Sequence, residues 1–183
     1  MTTRIVAIGG TVAANSTTEM ALVTAMESAK ALGADVQLFG GAYLATLAHY
    51  RSSAHATGDG AELVEAVRAA DGIIIAAPGY HGTISGLVKN ALDYLEDLAK
   101  DDRPYLDGRA VGLIATAYGD QATMSTMQTL RSIVHALRGW PTPMGATVRT
   151  YHGLFSVDGE CLDDRVRMQL DMVGAQVVRG GRS

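Results

Sequence analysis

Five times along this chain, a short apolar run gives way to a segment with helical periodicity, and no other feature restricts the fold as strongly. The runs Arg4–Ile8, Asp35–Phe39, Gly72–Ala77, Ala110–Ala115 and Thr142–Val148 read as strands. Residues 17–32, 60–70, 83–98, 122–138 and 161–178 read as helices. The clearest helical pattern is 83–98, where Ile84, Leu87, Val88, Ala91, Leu92, Leu95 and Leu98 follow the i, i+3, i+4, i+7 template. Repeated β-α units imply a parallel sheet with right-handed crossovers and helices covering both faces. The longest irregular stretch is 40–58, a length at which loops are usually functional. The end, Gly180-Gly181-Arg182-Ser183, is expected to fray.

Five such strands fit a flavodoxin-like α/β sandwich of three layers: a five-stranded parallel sheet in order 2-1-3-4-5 with helices on both faces. The 183 residues suit a single domain over 1–183. The net charge of −4 and the absence of a Lys/Arg stripe argue against nucleic acid as a partner. The one cysteine, Cys161, excludes an intrachain disulfide, and no Cys/His spacing suggests a metal. No apolar run approaches the ~20 residues of a membrane span, and the first residues lack a signal-peptide pattern. A soluble, cytoplasmic protein is the expectation.

In sheets of this kind ligands bind beyond the carboxyl ends of the strands. Two such ends stand out. The first strand runs into Gly9-Gly10-Thr11-Val12-Ala13-Ala14-Asn15-Ser16-Thr17-Thr18. Small and hydroxyl residues before a helix suit a phosphate, which meets free N–H groups and the positive end of the helix dipole. Neither the Gly-x-Gly-x-x-Gly fingerprint nor the Gly-Lys-Ser/Thr ending is present. Ser16-x-x-Glu19 reads equally as a capping box, and Glu19 repels a phosphate unless it points away. The third strand runs into Pro78-Gly79-Tyr80-His81-Gly82-Thr83, whose small residues and backbone N–H groups let a flat polar ligand approach the main chain.

Together the two loops resemble the NADPH-dependent FMN reductase family. Its first loop commonly reads Gly-Ser-x-Arg-x-x-Ser-x-Asn; here Gly10, Thr11 and Ser16 follow it, with Ala13 in place of Arg and Thr18 in place of Asn. Its second signature is matched by Pro78, Tyr80, Gly82, Gly86, Lys89, Asn90, Ala91 and Asp93, while Gly79, His81 and Thr83 replace Glu, Asn and Ser. The resemblance implies FMN as a noncovalent cofactor and NADPH or NADH as co-substrate. It places the phosphate on residues 11–18, with Thr11, Ser16, Thr17 and Thr18 as its contacts. The ring edge would lie against Pro78, Gly79, Tyr80, His81, Gly82 and Thr83. A third contact would come from Ala117, Tyr118 and Gly119. The implied partners are a small-molecule electron acceptor (free flavin for a flavin-dependent monooxygenase, or a quinone) and a second copy of the chain in a homodimer or homotetramer.

The flavin carries such chemistry, so no side chain is nominated as catalytic. His81 reads as a flavin or substrate contact or as an exposed loop histidine. Lys89 and Asp93, at i and i+4, read as a surface ion pair, and Asn90 as a tie between loops. Tyr43, His49, Tyr50, Arg51 and His55 read as part of a substrate or NADPH 2′-phosphate site, with Arg51 as the charge partner, or as a solvated loop. Two rival functions stay open: a flavodoxin-like electron carrier, for which the charge is small, and a flavin-free binding module of the same fold.

Overall fold

The computed structural model describes residues 2–52 and 59–181. In chain order the elements are β1 (Arg4–Gly9), α1 (Thr17–Ala31), β2 (Asp35–Phe39), the short α2 (Gly41–Leu44) and α3 (Asp59–Ala69). There follow β3 (Gly72–Tyr80), β4 (Thr83–Ile84), α4 (Gly86–Asp93) with a 3₁₀ turn over Tyr94–Leu98, and β5 (Ala110–Ala117). The chain then forms α5 (Asp120–Ala136), β6 (Trp140–Arg149) and α6 (Asp164–Gly180).

The sheet runs β2-β1-β3-β5-β6, all parallel. Counting parallel strands alone, this is the expected order 2-1-3-4-5. The expected count is corrected by β4, a two-residue sixth strand that pairs antiparallel with the end of β3. Alternation along the strands sorts the core into two layers. Val6, Ile8, Ile73, Ile75, Val111 and Leu113 pack toward α3, α4 and α5, while Ile5, Ala7, Ile74, Ala76 and Ile114 pack toward α1 and α6. The central runs are apolar at every position because both faces of a parallel sheet are covered.

Helix boundaries follow their caps. Helix α1 starts at Ser16, whose Oγ accepts from the Glu19 N–H at 3.2 Å. It stops at Gly33 (φ 86°), where Ala34 and Gly33 donate back to the Ala29 and Lys30 carbonyls and turn the chain into β2. The helix expected over 83–98 begins three residues later. Ser85 caps it by accepting from the Val88 N–H, and its last turn tightens to 3₁₀ at Tyr94. The last helix likewise starts at Asp164 rather than 161, because Asp163 accepts from the N–H groups of Arg165 and Val166. Cys161 instead bridges to Phe155 in a small antiparallel turn. Gly180 closes α6 and Gly181 donates to the Val177 carbonyl, so the expected fraying does not include these two residues.

At the end of the sheet where β3 and β5 begin, Arg109 is 1 % exposed. Its guanidinium donates to the carbonyls of Ala70, Tyr105 and Arg68 at 3.0, 3.0 and 2.9 Å. Burial lowers its pKa to about 10. Arg103 donates to the Ala70, Asp107 and Gly108 carbonyls beside it.

Candidate functional site

The loops at the opposite end of the sheet enclose a cleft of about 440 Å³ between the start of α1 and the ends of β3, β5 and β6. Its α1 wall is set by three contacts. The Ser16 cap leaves the first N–H groups of α1, those of Thr17 and Thr18, without an intrahelical acceptor. Thr18 and Thr116, both 3 % exposed, share a hydroxyl–hydroxyl bond of 2.6 Å that joins α1 to β5 under the cleft. The third contact settles the ambiguity over Glu19. Its carboxylate does not return to Ser16, as a full capping box requires; its Oε2 accepts from the Gly41 N–H at 3.1 Å, at the start of α2. The α1 carboxylate is therefore engaged on the neighbouring strand end. Gly41 is needed for this approach, since a Cβ there would stand 1.8 Å from the Thr11 carbonyl oxygen.

The opposite wall is the rim of β3 and β5. Strand β3 runs three residues beyond the expected end at Ala77. Pro78 stands past the last β1 partner, Gly9 against Ala76, so its missing N–H interrupts no β1 ladder. His81 (φ 50°) and Gly82 (φ 90°) then form a two-residue left-handed turn between β3 and β4, with Tyr80 opposite Thr83. Pro78 pairs with Thr116 in register, so Tyr80 and Tyr118 lie two residues further along adjacent strands, on the side of the Thr18–Thr116 bond. Gly79 and Ala117 turn the other way. A Cβ on Gly79 would stand 2.5 Å from Thr126 Oγ1 of α5 and 3.3 Å from the Ala117 Cβ.

Of the residues singled out in the sequence, the cleft brings together Thr11, Ser16, Thr17 and Thr18 on one side. Pro78, Gly79, Tyr80, Ala117 and Tyr118 join them on the other. His81, Gly82 and Thr83 sit on the exposed hairpin tip, and Gly119 caps α5; none of the four lines the cleft. Ala13, Ala14 and Asn15 also line the cleft, within the 11–18 loop assigned to the phosphate, and two further lining residues, Thr116 and Thr150, escaped sequence reading. Thr116 and Thr150 could have been found from their places at or just past the carboxyl ends of β5 and β6, the rule that selected the other loops. No charged side chain is among the described residues that line the cleft.

The 40–52 segment is more ordered than a solvated loop. Tyr43 packs edge-on against Phe39, with ring centroids 4.7 Å apart. Asn90 accepts from the Tyr50 N–H and donates to the Ala48 carbonyl, both at 3.0 Å, which is the tie between loops anticipated for it. Tyr94 also donates to the Ala48 carbonyl, and Tyr50 donates to Asp97. Burial first, then the Asp97 hydrogen bond and charge, push the Tyr50 phenol up to about 12. His49 and Arg51 are exposed, and His55 lies outside the described residues. Lys89 and Asp93 form the expected exposed pair.

Residues 3–152 match the NADPH-dependent FMN reductase family. The chain belongs to that family. Among curated proteins it is 38% identical over 82 residues to the FMN-dependent NADPH-azoreductase of Staphylococcus aureus, a stretch covering 45% of this chain and 40% of that protein. The chain thus aligns with well under half the length of that curated relative. Among solved structures it is similar to an NADH:FMN oxidoreductase (EMOB) in its apo form, with 25% identity, a TM-score of 0.75, and coverage of 97% of this chain and 89% of that one. FerB, a flavoenzyme NAD(P)H:(acceptor) oxidoreductase from Paracoccus denitrificans, shares the fold at 17% identity, with a TM-score of 0.78 and coverage of 97% and 98%. The family's match ends within the turn after β6, so it includes every cleft-lining residue.

Proposed function

We propose that this protein is an NAD(P)H-dependent flavin oxidoreductase whose cleft holds FMN. In this reading the phosphate sits against Thr11 and Ser16–Thr18 and the ring against Pro78–Tyr80 and Ala117–Tyr118. The observation that supports it is the convergence of both family loops on one cleft, with the α1 carboxylate drawn off to Gly41. The donor set suits the group. Two free helix N–H groups and the hydroxyls of Thr11, Ser16 and Thr17 can meet a phosphate, and the volume lies in the range of small-molecule sites, roughly 300–1,000 Å³.

Bound FMN would supply the hydride and electron transfer. The chain's own part is to bind, orient and leave the ring accessible. The Ser16 hydroxyl accepts from Glu19 N–H and keeps its own proton to donate outward. The Thr18–Thr116 bond fixes the spacing between the phosphate wall and the ring wall. The described residues that line the cleft carry no carboxylate or imidazole. The hairpin tip at His81–Thr83 and Gly119 stand at the rim, where a second substrate would enter.

The acceptor in this reading is a small molecule: free flavin passed to a monooxygenase, a quinone or an azo compound. The protein works in the cytoplasm as a homodimer or homotetramer. The test is a visible absorption titration with FMN, followed by anaerobic NADPH and then NADH. Binding followed by bleaching of the flavin band is expected. Bound flavin that neither nucleotide bleaches would replace the reductase with an electron carrier, and no binding would leave a flavin-free module.

A further inference from the structure

The outer face of the α1–α6 layer carries a groove that shares no residue with the cleft. It runs between the two helices in two contiguous parts, of about 460 and 360 Å³, which meet at Ser28 and Asp171. Its walls are held at a fixed spacing. Gly174 lets the helices touch, since a Cβ there would stand 2.2 Å from the Ala25 carbonyl oxygen. Ser28 Oγ adds a bond to the Asp171 carbonyl at 2.9 Å. The middle of the groove is apolar. Met168 and Met172, one turn apart on α6, are 60% and 39% exposed, and Leu32 of the same lining is 45% exposed. A contiguous apolar patch with a polar rim marks a contact surface.

The groove is electrically polarised. One end, at the Phe155–Cys161 turn, is lined by Glu27, Asp158, Glu160 and Asp171 against a single cation, Arg167. Glu160 pairs with Arg167 and Glu27 with Lys30. The exposed Asp158 carboxylate has no bond or ion pair among the described residues. Beyond the shared Asp171, the described lining of the far half holds one charged residue, Arg179. A strip that is acidic at one end, apolar in the middle and basic at the other complements itself when turned end for end. A two-fold contact requires this, because one patch serves on both copies.

We propose that this groove is where a second copy of the chain docks, α6 against α6 across a two-fold axis. Setting Met168 of one copy against Met172 of the other puts the axis beside residue 170. Arg179 then lies about 13 Å from the axis along α6. That is level with the turn before α6, and so with Asp158 of the other copy. The methionines and Leu32 supply the apolar centre, and the Arg179–Asp158 pairs fix the direction. This surface lies away from the 11–18 and 78–83 loops, so the cleft stays open in the assembly. The contact gives a surface to the assembly proposed above and holds whether or not the cleft takes FMN.

Sedimentation velocity of the full chain over a concentration series gives the stoichiometry and the dissociation constant. The wild type is expected to associate, and joint Met168→Glu and Met172→Glu to weaken that association roughly thirtyfold or more. Asp158→Arg and Arg179→Asp should each weaken it about tenfold, and together return it to within about threefold of the wild type. Such rescue needs contact between copies; a structural role within one copy would give losses that add. Thermal unfolding checks that the variants stay folded, and should the methionine variant unfold, the charge exchange decides alone. A wild type that stays monomeric would overturn the proposal. So would association unchanged in the folded methionine variant, or charge reversals that add. FMN titration of the same samples should give one affinity throughout. Absence of flavin binding in an associating wild type would overturn the flavin reading and leave this contact standing.

Discussion

Where β3 and β5 begin, Arg109 is sealed in at 1% exposure and every donor group of its guanidinium is directed at a main-chain carbonyl. Where the same strands finish, Tyr118 stands 83% exposed with nothing against it. The strands are continuous between these ends, so the contrast is made by the loops alone. At the sealed end, long polar side chains satisfy carbonyls that the turns would leave bare. At the open end, hydroxyls and amides face solvent, ready for a ligand in place of water. With FMN in the cleft as proposed, stability and binding fall to opposite ends of one sheet, and a change at one should leave the other property nearly untouched.

The largest expected effect is at the sealed end. Arg109→Met removes a donor from three carbonyls in a buried site, of which Ala70 keeps the Arg103 bond, and should cost about 3 kcal/mol in urea unfolding. The flavin affinity of the fraction that remains folded should be unaltered. An affinity loss of about tenfold or more would show that the two ends are coupled through the sheet.

Next is Gly79, whose backbone lines the cleft but where a side chain would point away from it, toward α5. Gly79→Ala pushes a methyl to 2.5 Å from Thr126 Oγ1. The overpacking should cost about 1–3 kcal/mol. Thr126 Oγ1 is itself buried without a hydrogen-bond partner, so Thr126→Ala should cost little and should rescue Gly79→Ala. Additive losses in the double variant would mean that the strain lies in the backbone and not in this contact.

The smallest effect concerns Tyr50, which joins the 48–52 segment to the 3₁₀ turn. Its phenol titrates at about 12 in the fold against 10.0 when free. A raised folded pKa means that the unfolded chain loses its proton first. The stability Tyr50 contributes is therefore complete below pH 10 and falls away as pH climbs toward 12. Tyr50→Phe should lower stability slightly at neutral pH and flatten that alkaline slope. A slope unchanged in the variant would assign it to other groups.

The layers and strand order were legible because the apolar runs are unbroken and each is followed by a periodic segment. The hairpin over Tyr80–Thr83 was not, since residues 83–98 carry one helical pattern throughout and only Ser85, as a cap, divides it. Thr11, Ser16, Pro78 and Tyr80 could be placed at the cleft from strand-end logic and family spacing. Thr116 and Thr150 stand at or just past strand ends that the same rule reaches, but no family motif marks them, and a threonine at the end of an apolar strand looks like any β-branched residue until its neighbour across the sheet is known. Glu19 shows the same limit from the other side. Its spacing from Ser16 specified a local bond, and the acceptor it became serves an amide 22 residues away.

That bond has a consequence for how the sequence can drift. A Cβ on Gly10 would stand 2.7 Å from Glu19 Oε2 and 2.9 Å from the Gly41 nitrogen, so positions 10, 19 and 41 occupy one shared volume. None can be exchanged alone: a side chain at 10 displaces the carboxylate, and a shorter residue at 19 strands the amide of 41. The three positions amount to a single inherited character spread over three codons, and homologues that differ at one should differ at the others too.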